Sequence, residues 1–307
     1  MKNILSVASS PHIRHHDTTR SIMFDVILAL LPAAVNGCIL FGAHALILLT
    51  VTVASCVLFE YLWNLILKKP QSIGDLSAVV TGLLLGLNLP PKTPVWIAVI
   101  GSFTAIIAVK QMFGGIGHNF ANPAITARIV LLVSFPSVMT TFAEPLTGAV
   151  SSATPLASNG AGYTLKILFF GSHSGCIGET SAFLLLIGAL LLFVRRVITP
   201  VIPLSFIGTV AVLTALSGGD VLKQIFTGGL IIGAVFMATD YTTSPTSNWG
   251  KLLFGVGCGL ITFIIRHFGN LPEGVSYSIL IMNILVPYIN RLTTVKPFGA
   301  KEAAENE

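Results

Sequence analysis

The stretch T-G-L-L-L-G-L-N-L-P-P, Thr81–Pro91, is apolar, marked by glycine and stopped by a proline pair. A helix that crosses a bilayer needs about 20 apolar residues, so this stretch reads as a helix that ends inside protein. It has a faint counterpart in T-G-G-L-I-I-G-A-V-F-M-A-T-D, Thr227–Asp240. Each carries a G-x-x-x-G spacing, at Gly82/Gly86 and at Gly229/Gly233. Short, glycine-interrupted segments in corresponding positions are the mark of a midplane site between inverted repeats. The same spacing also serves ordinary close packing of helices through small residues, and both readings stand at this point.

Outward from these two stretches, apolar segments recur at about 22–43, 45–66, 76–90, 94–112, 123–137, 179–194, 199–217, 224–239, 250–266 and 274–292. Thr81–Pro91 falls in the third segment of a first group of five, and Thr227–Asp240 in the third of a second group. The pattern predicts an all-α polytopic membrane protein of about ten transmembrane helices. An odd number per half requires two like halves to run in inverted topology. Composition agrees: of 307 residues, 53% are hydrophobic and only 9% charged, with a mean hydropathy of +0.86. That excludes an ordinary soluble domain. The formal charge of +5 comes from basic residues scattered between apolar runs, which is the habit of cytoplasmic loops and not of a nucleic-acid surface.

Basic residues set the orientation. With the N-terminus cytoplasmic, the same side receives Lys68, Lys69, Lys110, Arg195, Arg196, Lys251, Arg291, Lys296 and Lys301. The opposite side receives only Lys92, Lys166, Lys223 and Arg266. The predicted plan is a cytoplasmic tail over 1–21, a first five-helix repeat over 22–137, an extracytoplasmic loop over 138–178, a second repeat over 179–292 and a cytoplasmic tail over 293–307. No small-residue cleavage site follows the polar first 21 residues, so the first apolar run is expected to remain as a helix.

The long loop contains V-S-S-A-T-P-L-A-S, Val150–Ser158. Pro155 biases Thr154 toward an extended backbone, which presents the hydroxyl. Cys38, Cys56, Cys176 and Cys258 are isolated, with no C-x-x-C or histidine-rich partner, so no metal ligand set is expected. Asp25, Glu60, Asp75, Glu179 and Asp240 fall at or near predicted helix ends, where a charge costs less than at the bilayer centre. Asp75 and Asp240 are candidates for an ion path or for helix caps. Gly114, Gly115 and Gly117 lead to Asn122-Pro123, an N-cap followed by proline at the first helical position. That loop either turns the chain tightly or offers backbone N–H groups to a phosphate or carbonyl-rich ring, with Arg128 further along the helix.

Several motifs together resemble the RnfD/NqrB family, whose members include the RnfD proteins of Rnf electron-transport complexes. They are S-P-H-I-R at Ser10–Arg14, G-D-L-S-A-V-V-T-G-L-L-L-G-L-N-L-P-P at Gly74–Pro91 and G-G-I-G-H-N-F-A-N-P-A at Gly114–Ala124. To these are added S-S-A-T-P-L at Ser151–Leu156 and M-A-T-D-Y-T-T-S-P at Met237–Pro245. The resemblance implies a fold of two inverted five-helix repeats like that of urea and ammonium channels. It implies FMN joined through a phosphoester to the hydroxyl of Thr154, on the extracytoplasmic face. Where the family motif often has an acidic residue, this chain has Gly148. The resemblance also implies a second, non-covalent flavin (riboflavin or FMN) with no residues assigned, and iron-sulfur and flavin centres in partner subunits.

The function so implied is that of a membrane subunit of an ion-translocating ferredoxin:NAD oxidoreductase. Such a subunit relays electrons and couples them to transport of Na+ or H+ in the bacterial cell membrane. Two alternatives remain at this stage: a channel or transporter without redox function, and the NqrB-type subunit of a Na+-translocating NADH:quinone reductase. The short N-terminal tail favours the ferredoxin-linked complex over the quinone reductase.

Overall fold

A computed structural model of the chain describes residues 18–145, 150, 151, 156, 163–269 and 274–293. Helix α1 (Thr19–Phe41) begins at a reciprocal cap in which the Thr18 and Ser21 side chains each bond the other's backbone N–H. Gly42, at φ +75°, then turns the chain directly into α2 (Ala43–Ile66). These two helices, with α12 (Asn248–Phe268) and α13 (Val275–Thr293), are the four among the described residues long and apolar enough to cross a membrane. Between them lie shorter apolar helices: α3 (Ser77–Leu87), α4 (Val95–Phe103, continuing as a π-helix over Thr104–Gln111), α5 (Pro123–Ser134), α8 (Ala182–Val194) and α9 (Val201–Leu216). Short helices α6 (Pro136–Met139), α7 (Leu165–Phe170) and α10 (Val221–Phe226) serve as connectors. Helix α11 is Leu230–Ile232 and continues as a π-helix over Gly233–Met237.

The chain is therefore a polytopic helical membrane protein. Its helices pack α1 on α8, α2 on α3 and α4, α9 on α12, and α5 on α13.

The glycines of the opening stretch are a packing seam. A β-carbon at Gly82 would stand 2.7 Å from the Val53 Cα and 2.8 Å from the Thr52 carbonyl, and one at Gly86 would stand 2.6 Å from Thr52 Oγ1. Close approach of α2 and α3 thus needs residues without side chains, as in small-residue interfaces generally. In the second half, Gly233 leaves room for Val275 of α13, while Gly229 leaves room for a carboxylate, Glu179 Oε1.

Being short, α3 ends inside protein, and its last carbonyls need donors. They come from the far end of the long connection: Gly178 N–H donates to Leu87 O at 2.7 Å and Ile177 N–H to Leu89 O at 3.1 Å. The connection expected over 138–178 holds structure of its own. Phe142–Ala143 pairs antiparallel with Val150–Ser151, α7 follows, and residues from His173 to Ser181 are buried among the helices.

Candidate functional site

Helix α3 joins two polar centres, one at each end. Ser77 and Asn88 are eleven residues apart, or about 17 Å along a helix axis. At the Ser77 end, Asp75 Oδ1 accepts from the Ser77 N–H at 2.8 Å and from its hydroxyl at 2.6 Å. Asp75 is thus the cap expected of it, favoured also by the positive end of the helix. Lys110, on the π-helical half of α4 and only 2% exposed, donates to Ser77 Oγ at 2.6 Å and to Glu60 Oε2 at 2.7 Å. Glu60 is fully buried, and its other oxygen accepts from Ser72 Oγ. Its expected position near a helix end is corrected here: Glu60 lies inside α2, and burial is tolerated because the charge is paired. Asp25 too is paired, with the Arg195 guanidinium at 2.9 Å.

Beside Ser77 and Lys110 opens a cavity of about 310 Å³. Its apolar walls include Met23, Leu84 and Phe236, and its polar rim includes Asn119, Asp240 and Thr242. Asp240 accepts from the hydroxyls of Thr242 at 2.9 Å and Thr243 at 3.0 Å. Burial nonetheless pushes its carboxyl above the ordinary range, against the lowering effect of those hydroxyls. The glycine loop borders the same cavity through Ile116 and Gly117. Gly114, Gly115 and Gly117 all have positive φ, so the loop is a tight turn. The N–H groups it leads to are already served, because Asn122 Oδ1 accepts from Ala124 and Ile125.

At the other end of α3, Asn88 Oδ1 accepts from Arg128 Nη1, which also pairs with Glu179 Oε1 at 3.2 Å. Arg128 Nη2 lies 3.3 Å from Cys176 Sγ. Arg128 therefore points away from the glycine loop with which the sequence associated it. All four cysteines are free thiols. Asn88 Nδ2 also approaches Met237 Sδ at 3.7 Å, and Asn122 Nδ2 donates to Met237 O at 3.2 Å. The ends of α3 and α11, the two stretches matched in the sequence, thus meet in one polar junction. His173, 2% exposed, has Nδ1 3.1 Å from the Ser174 carbonyl, and burial holds its pKa below the usual histidine range.

Thr154 lies outside the described residues, as do Ser10–Arg14 and Gly148. Its described neighbours are Ser151, in the strand pair, and Leu156. Leu156 is buried and lines a void of about 10 Å³ with Asn88, Arg128, Glu179 and Arg266. The sequence reading did not single out the Lys110–Glu60 pair, the Arg128–Glu179 pair or Arg266. An ionisable residue inside an apolar segment is the signal that finds such groups, and Glu60 carried it.

The model of the NQR2, RnfD, RnfE family matches residues 6–299. The D subunit of a Na(+)-translocating ferredoxin:NAD(+) oxidoreductase complex from Acetobacterium woodii is 48% identical over 303 residues, covering 96% of this chain and 95% of the relative. The proton-translocating counterpart from Clostridium ljungdahlii is 42% identical, covering 98% of each chain. The D subunit of an ion-translocating oxidoreductase complex from Stutzerimonas stutzeri is 40% identical over 91% of each.

Proposed function

Because the chain belongs to the NQR2, RnfD, RnfE family, we propose that it is the D subunit of an ion-translocating ferredoxin:NAD oxidoreductase in a bacterial membrane. The observation that carries this reading is similarity over nearly the whole length to relatives named as that subunit. Those names also favour it over a quinone reductase component or a passive channel. Its partners are the other subunits of the complex, and its cargo is Na+ or H+, since the named relatives are divided between the two ions.

Thr154 is the acceptor for FMN, held as a phosphoester in the loop outside the membrane, with both chain termini cytoplasmic. The packing of α1 on α8 and of α5 on α13 pairs the first helix of each proposed half with its counterpart, and the fifth likewise. That supports ten helices in two inverted repeats of the urea and ammonium channel kind. A second, non-covalent flavin fits the 310 Å³ cavity, which is within the range of roughly 300–1,000 Å³ typical of small-ligand pockets. Phe236 and Met23 would line its ring, Asn119 and Asp240 would take its polar edge, and Lys110 would place positive charge nearby. Bound flavin supplies electron carriage, while the chain supplies position, exclusion of water and local charge. Glu60, paired to Lys110, is then placed so that a change of charge in the cavity acts on a buried ionisable pair.

The test is a denaturing gel of the membrane fraction, made in cells holding the flavin transferase and viewed under ultraviolet light. A fluorescent band that vanishes in Thr154→Ala is expected. A dark wild-type band sinks the assignment of Thr154.

A further inference from the structure

Helix α12 is long and apolar enough to cross the bilayer and carries Arg266 and His267 in its last turn. Charged side chains at the end of such a helix lie at the depth of the lipid headgroups. There α12 packs on α9, and beside Arg266 opens a cavity of about 320 Å³, lined also by Thr214, Ser217, Asp220, Gln224 and Phe263. The same turns of α9 and α12 carry apolar side chains outward: Leu216 is 79% exposed and Phe268 76%. A polar recess is thus bordered by surface suited to lipid chains.

The recess holds both signs of charge. Arg266 is fixed, since Nη1 donates to Gln224 O at 2.8 Å and to Gln224 Oε1 at 3.3 Å, and Nη2 to Thr227 O at 3.2 Å. Asp220 caps α10, with Oδ1 accepting from the Lys223 N–H at 3.3 Å; its Oδ2 stands 3.7 Å from Lys223 Nζ, and the side chain is half exposed. Gln224 N–H in turn donates to Asp220 O at 3.1 Å. Arg266 and Asp220 are therefore anchored to the two ends of one turn of α10, about 6 Å apart by helix rise. Phe263, stacked on His267 at 5.3 Å and 11°, gives the recess a flat wall.

From this arrangement we infer that the cavity at the ends of α9 and α12 seats the headgroup of a zwitterionic aminophospholipid of the phosphatidylethanolamine kind, its phosphate on Arg266 and its ammonium on Asp220. Guanidinium is the side chain best matched to phosphate. An ammonium donates to a carboxylate and is drawn to an aromatic face such as that of Phe263. A simple anion in the same place would meet the Asp220 carboxylate, and a simple cation would meet Arg266. A headgroup that carries both charges is complementary to both side chains at once. The acyl chains of such a lipid run along Leu216 and Phe268, which face outward beside the recess.

The experiment uses the full chain, stripped of lipid in detergent and titrated separately with phosphatidylethanolamine, phosphatidylglycerol and inorganic phosphate. Bound lipid is counted by native mass spectrometry, and the melting midpoint is followed for all three. The wild type should hold one phosphatidylethanolamine in preference to phosphatidylglycerol. Asp220→Asn keeps the helix cap, because asparagine caps as well as aspartate, and should weaken phosphatidylethanolamine by roughly three- to tenfold while sparing phosphatidylglycerol, as loss of one charged contact implies. Arg266→Gln should weaken both lipids by a similar factor. Should Arg266→Gln fail to give folded protein, Asp220→Asn decides. Equal binding of the two lipids by the wild type, or a preference that survives in Asp220→Asn, overturns the inference. So does a rise in melting midpoint with inorganic phosphate as large as that with lipid, which would make the recess a site for free anions.

Discussion

Lys110 and Glu60 form a buried ion pair in a helical bundle, and the cost of breaking it is set by the partner left behind. Removing one member strands a charge away from water, which typically costs about 3–5 kcal/mol, whereas replacing both with apolar groups is often neutral. Lys110→Met should therefore lower the thermal midpoint in detergent sharply, and Lys110→Met/Glu60→Leu should regain most of the loss. A double variant no better than the single would show that the pair is not where the stability lies. His173 gives a pH dependence. Burial depresses its folded pKa, so the unfolded chain binds the proton more readily. The stability it contributes is present above the ordinary histidine pKa and is lost as pH falls through and below that value. Melting points taken from pH 7.5 down to pH 5 should decline, and His173→Gln should flatten the decline. At this scale the sequence was only partly legible. Asp75 capped α3 as its position suggested, but Lys110 faces Glu60 from a π-helical turn, whose winding departs from the helical period that a sequence reading assumes.

Among the elements, α3 and α11 are the ones whose reading carried furthest. Their shortness, their glycines and their matched positions were visible in the chain, and the structure brings their ends together at Asn88 and Met237. The open question of what the glycines do is answered by distance. Gly82 lies against backbone atoms of α2, which cannot give way as a side chain tip can, so Gly82→Ala should destabilise by about 1–3 kcal/mol, the usual cost of overpacking. Gly208 in α9 has nothing within 4 Å of the place a β-carbon would take. Gly208→Ala should instead stabilise by up to about 1 kcal/mol through helix propensity. Opposite signs of the melting shift in these two single-methyl variants are the expected result; equal shifts would mean that the α2–α3 seam is not tight. What the sequence hid was the burial of the segment from His173 to Ser181. Its polar composition gives no sign of that burial, yet Ile177 and Gly178 donate their N–H groups to the carbonyls of Leu89 and Leu87 at and just past the end of α3.

For the whole molecule, hydropathy made the class legible because the bilayer demands apolar helices with satisfied backbones. The cavities were not legible, because each is assembled from several helices far apart in the chain. Lys110, Asn119, Phe236 and Asp240 meet around one, and Thr214, Phe263 and Arg266 around another. The two lie in different surroundings, one beside the Ser77 end of α3 and the other adjoining, through Arg266, the void at its Asn88 end. If the basic residues orient the chain as argued, the first faces the cytoplasm and the second the outside. That arrangement can be tested without any flavin. In a chain whose four native cysteines are replaced, Lys69→Cys and Lys166→Cys are separate probes on proposed opposite faces. A membrane-impermeant maleimide added to intact cells freed of their outer barrier should label Lys166→Cys at once and Lys69→Cys only after the membrane is opened. Labelling in the reverse order would invert the molecule and move the Thr154 loop to the cytoplasmic side.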